Sequence, residues 1–261
     1  MQTILYIFFF LLGLVLASFL NALMYRLNKK YKYPEILTKP SHCEKCKKEL
    51  KWYELIPILS YILTKGRCSK CKSKIDIYYP ISELLLGISI FLLYYTHSAW
   101  YTYPILLILF SLTYFDIYYK AIPQIPTLVF VGLSFLYLIV NALISGEIVL
   151  NALPSGLIVI VGISLILVVM YGFKNFKEGF GIGDFLILLS LSMFLNTRDF
   201  WLMFWISIFT AVVISIVGFV LKKYNLKTAL PLLPFFTIAY IVTVTYGAVI
   251  LKYLGLTVAI L

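Results

Sequence analysis

Long apolar runs separated by short polar interruptions fill most of the chain, and one extended polar stretch breaks the pattern. The apolar runs fall at residues 3–25, 80–96, 104–119, 125–144, 150–172, 184–196, 200–221 and 229–251. A helix needs about 20 such residues to cross the hydrocarbon core of a bilayer. The pattern therefore predicts an all-α polytopic membrane protein with about eight transmembrane helices. Two runs, 104–119 and 184–196, are short and bounded by polar or proline-bearing segments; short spans thin the bilayer locally or line a wet cavity. The polar stretch is 26–79. The expected organisation is a first transmembrane helix over 1–25, a loop domain over 26–79, and a membrane domain of about seven helices over 80–261. The first run has no basic leader and continues into Asn21 and Arg26 rather than a small-residue cleavage site, so it reads as a retained span.

Composition narrows the class. Hydrophobic residues make up 62% of the 261 positions and charged residues 13%; the mean hydropathy is +0.97. Soluble domains are about 45–50% apolar and about 25% charged, so a disordered chain, a fibre or an ordinary water-soluble enzyme is excluded. The net charge is +11, and its distribution sets orientation. With eight alternating spans, 20 of the 22 basic residues fall on one side, in 26–79, 120–124, 173–183 and 222–228. Only Arg198 and Lys252 fall on the other. The positive-inside rule makes the first side cytosolic and leaves both termini outside. It accounts for the charge without any nucleic acid. The 26–79 loop carries 14 basic and 5 acidic residues, which suits contact with anionic membrane lipid.

All four cysteines lie in that loop, as Cys43-Glu-Lys-Cys46 and, after 21 residues, Cys68-Ser-Lys-Cys71. Two C-x2-C knuckles supply four thiolates in the manner of a zinc ribbon, with a gap slightly longer than usual. Flanking lysines 45, 47, 70 and 72 favour thiolate. A closed four-sulfur shell is structural zinc rather than a reaction centre. Disulfides or a redox dithiol are the alternatives, and a reducing cytosol opposes the former. His42 adjoins Cys43 and reads as a loop neighbour rather than a ligand.

Two carboxylates stand out at the ends of spans. Asp116 closes the third run, in Leu112-Thr-Tyr-Phe-Asp-Ile-Tyr-Tyr-Lys-Ala-Ile-Pro123, and Asp184 opens the sixth, in Gly179-Phe-Gly-Ile-Gly-Asp-Phe-Leu-Ile187. On the topology above, both lie at the cytosolic membrane edge. Two facing carboxylates share one proton, so that one activates water and the other protonates a carbonyl, the chemistry of an aspartic protease. Gly181 and Gly183 let a substrate strand come close. Alternatives stand beside this: Asp184 as a helix N-cap, and Asp116 paired with Lys120 at i+4. Glu83, near the start of the second span, suits a snorkelling or arginine-paired role as well as a functional one.

Seven motifs in order resemble the type IV prepilin peptidases, and the likeness covers nearly the whole chain. They are Ser18-Phe-Leu-Asn21 with Tyr25-Arg26; Pro40-Ser-His-Cys43-x-x-Cys46; Trp52-x-Glu54-x-Ile56-Pro57-x-x-Ser60-Tyr61 with Gly66-Arg67-Cys68-x-x-Cys71; Tyr79-Pro80-x-x-Glu83-Leu84; Asp116 with Ile122-Pro123; Gly181-x-Gly183-Asp184; and Leu232-x-Pro234-Phe235. The chain departs from the family pattern at Gln124, often Asp or Asn, and at Leu186, often Lys. The resemblance implies a membrane aspartic endopeptidase that cuts the basic leader from prepilins or pseudopilins at the cytosolic face of the cell membrane. It implies Asp116 and Asp184 as the catalytic pair, supported by Gly181, Gly183 and Pro123. It also implies N-methylation of the new N-terminus using S-adenosylmethionine, although no glycine-rich motif for that cofactor is visible in the loop. The competing classes are a presenilin-like or signal-peptide-peptidase-like intramembrane protease, which would carry its dyad mid-span and lack the cysteine loop, and a non-enzymatic transporter or scaffold with a zinc module. The native pilin and the oligomeric state are not encoded in any recognisable motif.

Overall fold

A computed structural model describes residues 1–145, 182–221 and 230–255. The described chain is helical, with no strands beyond two isolated bridges. The elements are α1 (Gln2–Asn28), α2 (Glu35–Thr38), a 3-10 turn (Trp52–Leu55), α3 (Leu59–Leu63), α4 (Tyr78–Tyr95), α5 (Thr102–Tyr119), α6 (Gln124–Ser145), α7 (Ile182–Phe194), α8 (Thr197–Val220) and α9 (Leu233–Tyr253). Six of the described helices, α1, α4, α5, α6, α8 and α9, are long and apolar enough to span a bilayer. A shorter apolar helix, α7, corresponds to the short run expected at 184–196. The protein is thus an all-α, multi-pass membrane protein. The expected span 150–172 lies outside the described residues, as do Gly181, Glu147 and Glu178.

Several helices begin earlier than the apolar pattern alone suggests, and proline explains why. Pro80, Pro104 and Pro126 each occupy the third position of their helix. The first-turn N–H groups have no intrahelical acceptor, so a proline there removes nothing. The last helix instead starts later than expected, at Leu233, because Pro231 and Pro234 confine its first turn. Asn196 caps α8, its side chain accepting from the Asp199 amide at 2.9 Å.

The chain divides into two compact units, Met1–Ile105 and Leu106–Leu261. In the first, α1 packs along α4. Gly13 permits the contact: a Cβ there would lie 2.7 Å from the Gly87 Cα and 2.8 Å from the Leu86 carbonyl oxygen. Small residues at such crossings let helix backbones approach closely in lipid. Phe9 stacks on Tyr94 at 4.0 Å between ring centroids, and the buried Asn21 amide donates to the Ser82 hydroxyl at 2.8 Å. In the second unit, α6 packs on α7 and α8 on α9. Phe130 stacks on Phe194, and Thr113 of α5 meets Thr237 of α9 at 2.8 Å between hydroxyls.

Candidate active site and cysteine centre

The two cysteine knuckles fold as copies of one another, 25 residues apart. Cys43 donates its amide to the Lys48 carbonyl and Cys68 to that of Ser73, both at 2.9 Å. Lys47 and Lys72 return to the carbonyls of Cys43 and Cys68, each with φ of 57°. The bridges His42–Glu49 and Arg67–Lys74 close the two turns. This doubling brings the four sulfurs within 4.8 Å of one another. Cys43 and Cys71 stand 3.8 Å apart, and Cys46 and Cys68 3.9 Å. A tetrahedron with Zn–S bonds of about 2.3 Å has S···S edges of about 3.8 Å, so the donor set fits a four-coordinate metal ion. No pair is joined as a disulfide. Without an ion the four thiols do not ionise alike: Ser73, through its hydroxyl and then its amide, holds Cys71 down to about 6, whereas Cys46, against the Lys48 amide, is pushed up to about 11 by the other sulfurs. His42 stays outside the cluster, its Nδ1 3.5 Å from the Pro40 carbonyl oxygen.

A second polar knot braces the loop. Lys48 Nζ reaches the Glu54 carboxylate at 2.8 and 3.0 Å, Ser69 donates to the same carboxylate, and the Lys51 amide adds a bond at 2.9 Å. The Lys48 ammonium first, then Ser69, pushes the Glu54 carboxyl down to about 2. Glu83 is buried in α4. It pairs with no arginine: its Oε2 accepts the Ile58 amide at 2.7 Å. Arg26 instead donates to the Ile36 carbonyl at 3.0 Å and to the Ser41 hydroxyl at 3.2 Å.

Asp116 lies in the last turn of α5 and is 7% exposed. Its Oδ2 accepts the Leu233 amide at 2.9 Å, the first backbone donor of α9. The ion pairs among the described residues are Lys39–Glu35 and Lys48–Glu54, so the Asp116–Lys120 pairing considered from sequence does not form. Lys120 adopts φ of 48° and turns the chain toward Ile122 and Pro123. Asp184 is the third residue of α7 rather than its N-cap, and is half-buried. Gly183, beside it, lies against Ile122: a Cβ at 183 would meet the Ile122 side chain at 2.8 Å. The connector after α5 and the start of α7 therefore meet, with Asp116 in the last turn of α5 and Asp184 in the first turn of α7. The Leu233 contact and the Ile122–Gly183 contact have no sequence signal beyond the Leu232-x-Pro234 and Ile122-Pro123 motifs themselves. Among the described residues no glycine-rich loop leads into a helix as a nucleotide cradle would require, so no side chain is assigned to a methyl donor.

Residues 11–97 match the family model described as the bacterial Peptidase A24 N-terminal domain. The prepilin leader peptidase/N-methyltransferase of Vibrio cholerae serotype O1 is 33% identical over 156 residues, 56% of this chain and 62% of that protein. The protein of the same name from Neisseria gonorrhoeae is 30% identical over 236 residues, 81% of each chain. The chain belongs to the prepilin leader peptidase/N-methyltransferase family. A further family member, from Dichelobacter nodosus, is 27% identical across 98% of this chain and 96% of its own. The family match thus extends over both units. No solved structure matches.

Proposed function

We propose that the protein is a prepilin leader peptidase of the aspartic type. It would cut the basic leader from a prepilin or pseudopilin helix at the cytosolic face of the cell membrane and then N-methylate the new terminus. The observation that carries the reading is the meeting of the two aspartate motifs, through Gly183 against Ile122. In the proposed reaction, one carboxylate takes a proton from water as its oxygen attacks the scissile carbonyl, and the other gives its proton to the carbonyl oxygen. Collapse of the tetrahedral adduct returns a proton to the departing amine. The Leu233 amide holds Asp116 through Oδ2 at the start of α9. Gly183 keeps the entry to α7 slim against Ile122, and Pro123 follows in the turn after α5. S-adenosylmethionine, when bound, would supply the methyl group for N-methylation.

Cys43, Cys46, Cys68 and Cys71 would hold one zinc ion that organises the 26–79 loop without taking part in cleavage. The basic asymmetry supports a cytosolic loop with both termini outside. The test is reconstitution with a substrate helix bearing a basic leader, comparing wild type with Asp116→Asn and Asp184→Asn. Loss of cleavage by at least about a hundredfold is expected in each folded variant, the lower end of a general acid–base contribution. Cleavage at wild-type rate in both would reduce the pair to structural roles. Labelled methyl from S-adenosylmethionine is expected on the cut product; cleavage with no label would leave a peptidase alone.

A further inference from the structure

The loop carries an apolar face that the metal knuckles do not use. Trp52 is 76% exposed, Ile62 64% and Leu63 71%, with Leu55 and Leu59 also exposed. Residues 59, 62 and 63 share one side of α3 by their i, i+3, i+4 spacing. Exposed Lys51 borders this face on one side and exposed Lys65 and Arg67 on the other.

The same segment is tied to a membrane helix. Ile58 turns the chain with φ of 60° and ψ of −51°, and the Leu59 amide bonds back to the Pro57 carbonyl. This is the strained γ-turn, at a β-branched residue. Such a conformation persists where its surroundings hold it. Here the hold is Glu83, whose buried carboxylate takes the Ile58 amide at 2.7 Å. Glu83 is the sixth residue of α4, so Ile58 lies alongside the second turn of a spanning helix, about 8 Å below its first residue at 1.5 Å per residue.

We propose that the Trp52–Leu63 segment is a lipid-inserting element, latched by Glu83 at interfacial depth, whose apolar face enters an anionic bilayer surface. Aromatic and leucine-rich faces rimmed by lysine and arginine bind at the headgroup–acyl boundary, where they bury about 5–10 Å deep. Two features favour lipid over a protein occupant. Both ends of the loop run directly into spanning helices, α1 and α4, which brings the bilayer to this face. The loop's excess of 14 basic over 5 acidic residues complements anionic headgroups and repels a basic leader. The inference rests on the multi-pass fold and not on the assignment of the aspartate pair.

The test uses the full chain in phosphatidylglycerol-containing vesicles, with Trp100, Trp201 and Trp205 replaced by Phe so that Trp52 is the sole tryptophan. Lipids brominated near the headgroup end of their acyl chains are expected to remove about half or more of its emission, as the insertion depth requires, while aqueous acrylamide has little effect. Zwitterionic vesicles are expected to weaken the bromolipid effect. The difference between wild type and Trp52→Phe gives the same readout where the triple variant folds poorly. Glu83→Leu, which removes the acceptor, is expected to move Trp52 toward acrylamide; unchanged quenching would overturn the latch. Ready acrylamide quenching without bromolipid quenching would overturn the insertion. So would an acrylamide-accessible Trp52 that becomes shielded only when a prepilin-like helix is added, which would assign the face to substrate.

Discussion

Removing the metal is expected to unfold the loop and leave the membrane helices standing. Across residues 29–77 only Gly66 and Cys68 are fully buried, so this stretch has no apolar core of its own. A segment of this size lacks the burial that offsets chain entropy, and the usual remedy is a metal or disulfides. The four sulfurs lie within 4.8 Å of one another, two of their separations being 3.8 and 3.9 Å, close to the edges a zinc ion requires. Structural zinc contributes about 10–16 kcal/mol in small Cys-ligated folds, which equals or exceeds the about 5–15 kcal/mol stability of a whole domain. Loss of the ion therefore reverses the loop's folding equilibrium. The assay is trypsin sensitivity of the purified protein before and after chelation, beside metal content and far-ultraviolet circular dichroism. One metal per chain, chelator-induced cutting within the loop, and nearly unchanged helicity are expected, and Cys71→Ser should behave like chelated protein. A metal-free chain with four titratable thiols and full trypsin resistance would refute the reasoning, because the loop would then be held by something other than the ion.

Two smaller perturbations follow from packing and charge. Gly13→Ala places a methyl group 2.7 Å from the Gly87 Cα, so α1 and α4 must part; a loss of about 1–3 kcal/mol is expected for such overpacking, and an unchanged thermal midpoint would show the crossing to be looser than described. Glu54→Gln is expected to weaken the loop at neutral pH, read as a lower urea midpoint for loop opening. Since the Glu54 carboxyl is lowered from 4.5 to about 2, its contribution is complete above about pH 4.5 and lost as pH falls toward 2. The gap between wild type and variant should accordingly be flat from pH 8 to 5 and close below that, and a gap that widens in acid would contradict the assigned ion pair.

The parts of the fold readable in the sequence are those set by local rules. Apolar run length located the described spans to within a few residues, and C-x2-C spacing located the cluster of four cysteines, because both depend on neighbours along the chain. What escaped depends on distant partners. Nothing local to Glu83 marks its bond to a backbone amide 25 positions earlier; its isolation in an apolar run suggested an arginine that proves to be engaged with Ile36 and Ser41. The Gly13 crossing was equally silent, since a lone glycine in a spanning helix has no pattern until Gly87 is brought against it. The start of the last helix was misjudged by counting apolar residues through Pro231 and Pro234, which delay it to Leu233.

Asp116 holds the start of α9 and is the proposed proton carrier, and the choice of substitution separates the two roles. Its carboxylate sits on the Leu233 amide, at the positive end of the 21-residue helix α9. An anion there is worth about 0.3–1 kcal/mol at exposed positions and up to about 2 kcal/mol when partly buried. Asp116→Asn retains an oxygen that can accept the Leu233 amide, and so keeps the hydrogen bond while losing the charge and the capacity to exchange a proton. Asp116→Ala loses the acceptor as well, leaving a buried donor unsatisfied at a cost of about 1–3 kcal/mol. If the residue is only a cap, activity should follow stability, with Asn close to wild type and Ala impaired. If it moves the proton, Asn and Ala should be equally inactive although Asn unfolds later. Measuring cleavage and thermal midpoint on both variants therefore distinguishes catalysis from capping with one pair of proteins, and an active Asn variant would exclude Asp116 from the reaction however well it is placed.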